Sequence, residues 1–150
     1  KIAPELATIT LFNGVKLQNN NFTESSKLPC TYMHSINETK ISKLVCKKRQ
    51  SKEWRKYNET HMTRTYPAGI RIDSSNYNPT LAWSLGCQLV ALNFQTNDSA
   101  LIVNHGFFRQ NNNCGYVPKP KASITLSIDD EDGVSDDDKQ QQSNNDDDDD

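Results

Sequence analysis

Apolar and polar positions alternate through residues 6–12, LATITLF, and with threonine and isoleucine prominent the stretch predicts a strand. The polar run NGVKLQNNNFTESSK that follows reads as a loop. Residues 28–34, LPCTYMH, predict a second short strand, with Pro29 near its start, where strands tolerate proline. Ser35 and Glu38 in SINE then have the S-x-x-E spacing of a capping box. The helix it opens sets Ile41, Leu44 and Val45 on one face and is expected to fray before Trp54. A third strand enters MTRTYPAG and stops at Pro67; Pro79 opens a short helix that ends at Gly86. Residues 87–95, CQLVALNFQ, are nearly all apolar, which predicts a strand buried on both faces of a parallel sheet. HGFFRQNNNCGYV reads as a hairpin with an Asn-rich turn. The order strand, strand, helix, strand, helix, strand points to an α/β fold. Four barrel-like parallel strands do not close, so the pattern predicts half a barrel with edges in need of a partner.

Charge divides the chain. From Asp129 onward there are 12 acidic residues and one lysine, while residues 1–128 carry 16 basic residues against 7 acidic ones, so the formal net charge of −2 is a cancellation. Residues 1–126 read as one folded unit and 127–150 as a disordered, Asp-rich tail, too poor in apolar groups to offset the entropy of ordering. The tail is either a solvated end or an electrostatic decoy for the basic body. That body favours anionic partners such as phosphoinositides or acidic membrane. Nucleic acid is not expected, because no base-stacking motif accompanies the charge. The chain starts at Lys1 rather than a methionine, which predicts a cut from something longer. Cys30, Cys46, Cys87 and Cys114 form no C-x-x-C pair, and His34, His61 and His105 have no metal-motif spacing, so reduced thiols in the cytosol are expected. No apolar run approaches the ~18 residues of a membrane span, no signal peptide is visible, and the sequons at Asn21, Asn37, Asn58 and Asn97 are what so Asn-rich a chain produces by chance.

One stretch is too specific for pattern arguments alone. RTYPAGIRIDSSNYNP at 64–79, followed by Trp83, GCQ at 86–88 and VALNFQT at 90–96, closely resembles the Y region, the second half of the catalytic barrel, of eukaryotic phosphoinositide-specific phospholipase C. The similarity runs from PEL at 4–6 through CGYVPKP at 114–120, roughly residues 4–120. It departs where the family's SFSE becomes SINE, with Ile36 and Asn37 in place of Phe and Ser.

The resemblance implies the C-terminal half of a distorted TIM-type barrel, with the site at the C-terminal strand ends. It implies hydrolysis of phosphatidylinositol 4,5-bisphosphate to diacylglycerol and inositol trisphosphate in signalling, at the membrane periphery in the cytoplasm. The catalytic histidines and the Ca2+ ligands belong to the first, X half of such barrels, so no catalytic or metal residue is expected here, and His34, His61 and His105 are not assigned that role. Arg64 and Ser35 match contacts to ring phosphates, and Tyr66 matches the residue against the inositol ring. Ser35 has a second reading as a plain helix cap. Arg71, Asp73, Ser74, Ser75 and Asn76 read as site-supporting loop residues, with Arg71 paired to Asp73. Trp83 reads as core, Gln88 and Asn93 as buried hydrogen-bonding groups, and the Lys40–Lys56 helix face as either solvated or drawn to membrane. A catalytically inactive phosphoinositide-binding scaffold is the alternative to an enzyme.

Overall fold

The computed structural model describes residues 3–120; the expected acidic tail lies outside them. Four strands, β1 (Asn13–Val15), β2 (Tyr32–Asn37), β3 (Thr63–Tyr66) and β4 (Leu89–Val90), form one sheet in chain order. Every neighbouring pair is parallel, with Val15 opposite His34, Ser35 opposite Arg64 and Arg64 opposite Leu89. The helices are α1 (Pro4–Ile9), α2 (Phe22–Ser25), α3 (Glu38–Val45), α4 (Lys48–Thr60), α5 (Thr80–Ser84) and α6 (Ser99–Phe108). The parallel α/β organisation is as the pattern predicts.

Side chains that alternate toward one face of the sheet meet the helices there. The core gathers Leu17, Phe22, Ile36, Ile41, Leu44, Trp54, Tyr57, Tyr77, Ala82, Leu85 and Cys87. Trp54 is fully buried, its ring stacked on Phe22 at 5.1 Å and its indole N–H donating to the Thr63 hydroxyl at 3.2 Å. Thr63 in turn donates to Asn58 Oδ1 at 2.6 Å, and Asn58 donates to the Leu85 carbonyl at 2.7 Å. Gln88 is clamped between β3 and α4, accepting from the Thr63 backbone N–H and donating to the carbonyls of Asn58 and His61. Burial pushes the Cys87 thiol up to about 12, which leaves it an inert packing group.

Several local expectations are corrected. Residues 4–9 are helical: Pro4 sits in the first turn, where its missing N–H costs nothing, and the hydroxyls of Thr8 and Thr10 bond back to the Glu5 and Leu6 carbonyls. The first strand therefore starts at Asn13. The second begins at Tyr32, after a turn closed by the Tyr32 N–H on the Pro29 carbonyl. Asn37, not Ser35, caps α3, its side chain accepting from the Lys40 N–H at 2.9 Å. The helix does not fray before Trp54 but breaks at Cys46 and restarts at Lys48. Ser51 makes the break stable, donating to the exposed carbonyl ends of α3 at Leu44 and Val45. β4 covers only Leu89 and Val90, and Leu89 is exposed rather than buried on both faces. The predicted hairpin is α6 followed by left-handed Asn111, Asn112 and Asn113. Trp83 is half-buried, stacked on Phe107 of α6 at 4.3 Å.

The helix at Pro79 and its stop at Gly86 are as predicted. Gly86 has φ +74°, its N–H reaches the Trp83 carbonyl and the Cys87 N–H reaches Ala82, the paired bonds of a glycine-terminated helix.

Tyr57 stacks on His61 at 4.6 Å, and His34 lies among the same aromatic rings, stacked on Tyr57 at 5.2 Å and edge-on to Phe22. Its Nδ1 is 2.9 Å from the Val15 carbonyl, so the proton sits there, and Nε2 is buried without a partner. Burial first, then the positive neighbours Lys40 and His61, lower its pKa, against the raising effect of the Val15 bond. The unfolded chain therefore takes up this proton more readily. Stability should be full above the unfolded value of 6.5 and fall as pH drops below it. Thermal melts between pH 8 and pH 5 should show that decline, and His34→Phe should flatten it; an equal slope in both proteins would remove His34 as the cause.

Candidate functional site

On β3 burial alternates strictly. Thr63 and Thr65 point into the core, where the Thr65 hydroxyl meets the Tyr77 hydroxyl at 2.7 Å. That parity drives Arg64 and Tyr66 to the opposite face. There the Arg64 guanidinium carbon lies 5.0 Å from the centre of the Tyr66 ring, within cation–π reach. Ser35 is the register partner of Arg64 on β2 and is exposed, so it shares that face, and Asn37 is the partner of Tyr66. A guanidinium, an aromatic plane and a hydroxyl thus converge at the C-terminal ends of adjacent parallel strands. On this side Ser35 is exposed and Arg64 and Tyr66 are half-buried.

The loop after β3 is held from outside the strand. Arg71 forms a bidentate pair with Glu38, at 2.5 Å from Nε to Oε1 and 2.6 Å from Nη2 to Oε2. Its Nη1 donates to the Ser75 hydroxyl at 2.9 Å, and the Ala68 N–H donates to Glu38 at 2.7 Å. The Arg71 hydrogen bonds hold the Glu38 carboxyl below its ordinary range, and Glu38 raises Arg71 in return. This corrects the expected Arg71–Asp73 pair. Asp73 instead accepts from the Ser75 N–H at 3.1 Å, which lowers its pKa and closes a turn through left-handed Ser74.

Asn76 and Asn93 form a second clamp. The Asn93 N–H donates to Asn76 Oδ1 at 2.5 Å, and Asn76 Nδ2 donates to the Asn93 carbonyl at 3.0 Å. The Asn76 N–H also reaches Asp98, the cap of α6, at 2.8 Å. Sequence reading missed Asp98 and the pairing role of Glu38. An Asp one residue before a helix is a detectable cap signal, but a partner 33 residues away is not.

A groove of about 780 Å3 opens between α3 and the 68–73 loop, lined in part by Glu38, Ser42, Ile70 and Ile72, and does not include Ser35, Arg64 or Tyr66. Those three share a face of the sheet instead. Among the described residues no three or more His, Cys, Asp or Glu side chains could hold a metal ion.

Comparison with known proteins decides the family. The profile for "Phosphatidylinositol-specific phospholipase C, Y domain" matches residues 6–122. The chain belongs to this family. The Y-domain chain is 39% identical over 120 residues to a 1-phosphatidylinositol 4,5-bisphosphate phosphodiesterase of Dictyostelium discoideum, covering 80% of this chain and 14% of that protein. It is 38% identical over 120 residues to the human delta-4 enzyme of the same name, covering 79% of the chain and 15% of that protein. The crystal structure of L. pealei PLC21 superposes with a TM-score of 0.73 at 38% identity, over 82% of this chain and 16% of that one. S. officinalis PLC21 gives 0.69 at 39% identity, over 78% and 15%. The Y-domain chain spans about one-seventh of the length of these relatives.

Proposed function

We propose that this chain is half of a TIM-type barrel and supplies the headgroup grip of a phosphoinositide phospholipase C that hydrolyses phosphatidylinositol 4,5-bisphosphate to diacylglycerol and inositol trisphosphate. The observation that carries the reading is Arg64 set over the Tyr66 ring beside Ser35, on one face at the C-terminal ends of adjacent strands. The planar guanidinium fork suits phosphate oxygens, the phenol ring offers a flat apolar surface to a sugar face, and the hydroxyl adds a donor. Parallel sheets are normally covered on both faces. Among the described residues β1 and β4 are the edges of an unclosed sheet, which supports docking of the complementary X half, which on this reading brings the catalytic histidines and the Ca2+ ligands. Arg71, Asp73, Ser74, Ser75 and Asn76 hold the loop that follows the gripping strand. The basic excess of residues 1–128 and four unpaired thiols support action at an anionic membrane surface from the cytoplasmic side, in signalling.

The test is a two-half reconstitution. This chain combined with an X half should hydrolyse vesicles carrying phosphatidylinositol 4,5-bisphosphate, and the chain alone should not. Arg64→Ala should lose about 1.5–3 kcal/mol of headgroup recognition, the scale of a hydrogen bond to a charged group, read as a fall in kcat/KM. Unchanged hydrolysis by that variant would contradict the role.

A further inference from the structure

The polar row at the site does not stop at Ser35. On β1, Gly14 is exposed and Val15 half-buried, and the alternation continues beyond the strand, with Lys16 exposed and Leu17 in the core. Val15 is the register partner of His34, so the next position brings Lys16 beside Ser35, on the face that Ser35 shares with Arg64. Lys16, Ser35 and Arg64 then lie across three adjacent strands, the two cations separated by two strand spacings, roughly 9–10 Å, with a hydroxyl between them. Lys40, in the first turn of α3, has its pKa lowered by burial first and then by the charge of Lys16. Among the described residues, neither lysine has a carboxylate partner. Two cations with no carboxylate partner among the described residues form a positive focus at the rim of a phosphate-gripping face.

We propose that Lys16 is a second phosphate contact that makes this face prefer a headgroup with two ring phosphates over one with a single ring phosphate. Arg64 with Ser35 takes one phosphate. Lys16, backed by the charge of Lys40, takes the other on the far side of Ser35. The inference rests on the headgroup reading of Arg64 and Tyr66 and extends it to specificity.

The experiment follows backbone amide shifts of the 150-residue chain during titration with inositol 1,4,5-trisphosphate and, separately, inositol 1,4-bisphosphate. Lys16→Gln should weaken the trisphosphate roughly tenfold, the scale of one charge-assisted hydrogen bond, and leave the bisphosphate within about twofold. Lys16→Arg should restore the preference. The exposed position predicts an unchanged thermal midpoint for both variants. Equal loss for both ligands, or no loss, would overturn the assignment while leaving the headgroup reading intact, provided Arg64→Gln weakens both ligands. If Arg64→Gln leaves both unchanged, or the unaltered chain shows no shifts at millimolar ligand, the headgroup reading fails and this inference fails with it.

Discussion

Trp54→Ala is expected to lower the stability of the folded chain by about 3–5 kcal/mol, the largest single effect among the substitutions considered. Two contributions combine. The indole is fully buried and stacked on Phe22, so truncation leaves a cavity walled by groups fixed in the sheet and in α2. Its N–H is the donor to Thr63, whose hydroxyl is committed to Asn58, so the loss reaches a buried polar chain that runs on to Leu85. Such networks are costly when half-satisfied. Against a total stability of order 5–15 kcal/mol, the loss should appear as a drop in melting temperature of roughly 10–20 °C. Trp54→Phe separates the contributions. It keeps an aromatic ring against Phe22, loses the donor, and should cost about half as much or less. Denaturant melts showing the two variants within experimental error of each other would mean that the ring's volume contributes little.

That tryptophan also marks where the sequence was and was not legible. β3 could be read because a short β-prone run ends at Pro67, and α5 because a proline opens it and a glycine closes it. These signals are local, within a turn of the residues they govern. The parallel order of the sheet followed from the alternation of elements. Trp54 was placed beyond a fraying helix because nothing local says that Ser51 reaches back to Leu44 and Val45 and lets a second helix begin. Alternation over seven residues predicts a strand where α1 forms, because that signal does not outweigh a proline in the first turn of a helix. The site divides in the same way. Arg64 and Tyr66 share a face by strand parity alone, whereas the partner of Arg71 depends on β2 and β3 being neighbours. Lys16 was invisible for that reason: its place beside Ser35 exists only through the register of β1 on β2.

Glu38→Ala is expected to cost about 2–3 kcal/mol, with consequences for the site as well as for the fold. The carboxylate holds three donors, two from Arg71 and one from the Ala68 backbone, and so fixes the turn that follows Arg64 and Tyr66. Removing one partner of a partly buried pair leaves the other poorly solvated, which costs more than the pair contributes. Side-chain exposure of 28% for Arg71 and 15% for Glu38 lets water return and keeps the loss below that of a deeply buried pair. Glu38→Gln preserves shape and one acceptor oxygen and should cost less. Arg71→Lys should cost nearly as much as Glu38→Ala, because an ammonium cannot reproduce the two-pronged geometry. A double-mutant cycle between Glu38→Ala and Arg71→Ala should return a coupling above about 1 kcal/mol. The sign with pH follows from the depressed carboxyl: its stabilisation is complete above the ordinary value of 4.5 and is lost as pH falls through the lower folded value. Because the pair braces the loop beyond the gripping strand, Glu38→Ala should also weaken inositol phosphate binding at neutral pH, where the variant is still folded. Full binding with reduced stability would confine the pair to the fold; loss of both would show that the turn after Tyr66 has to be held for the face to grip.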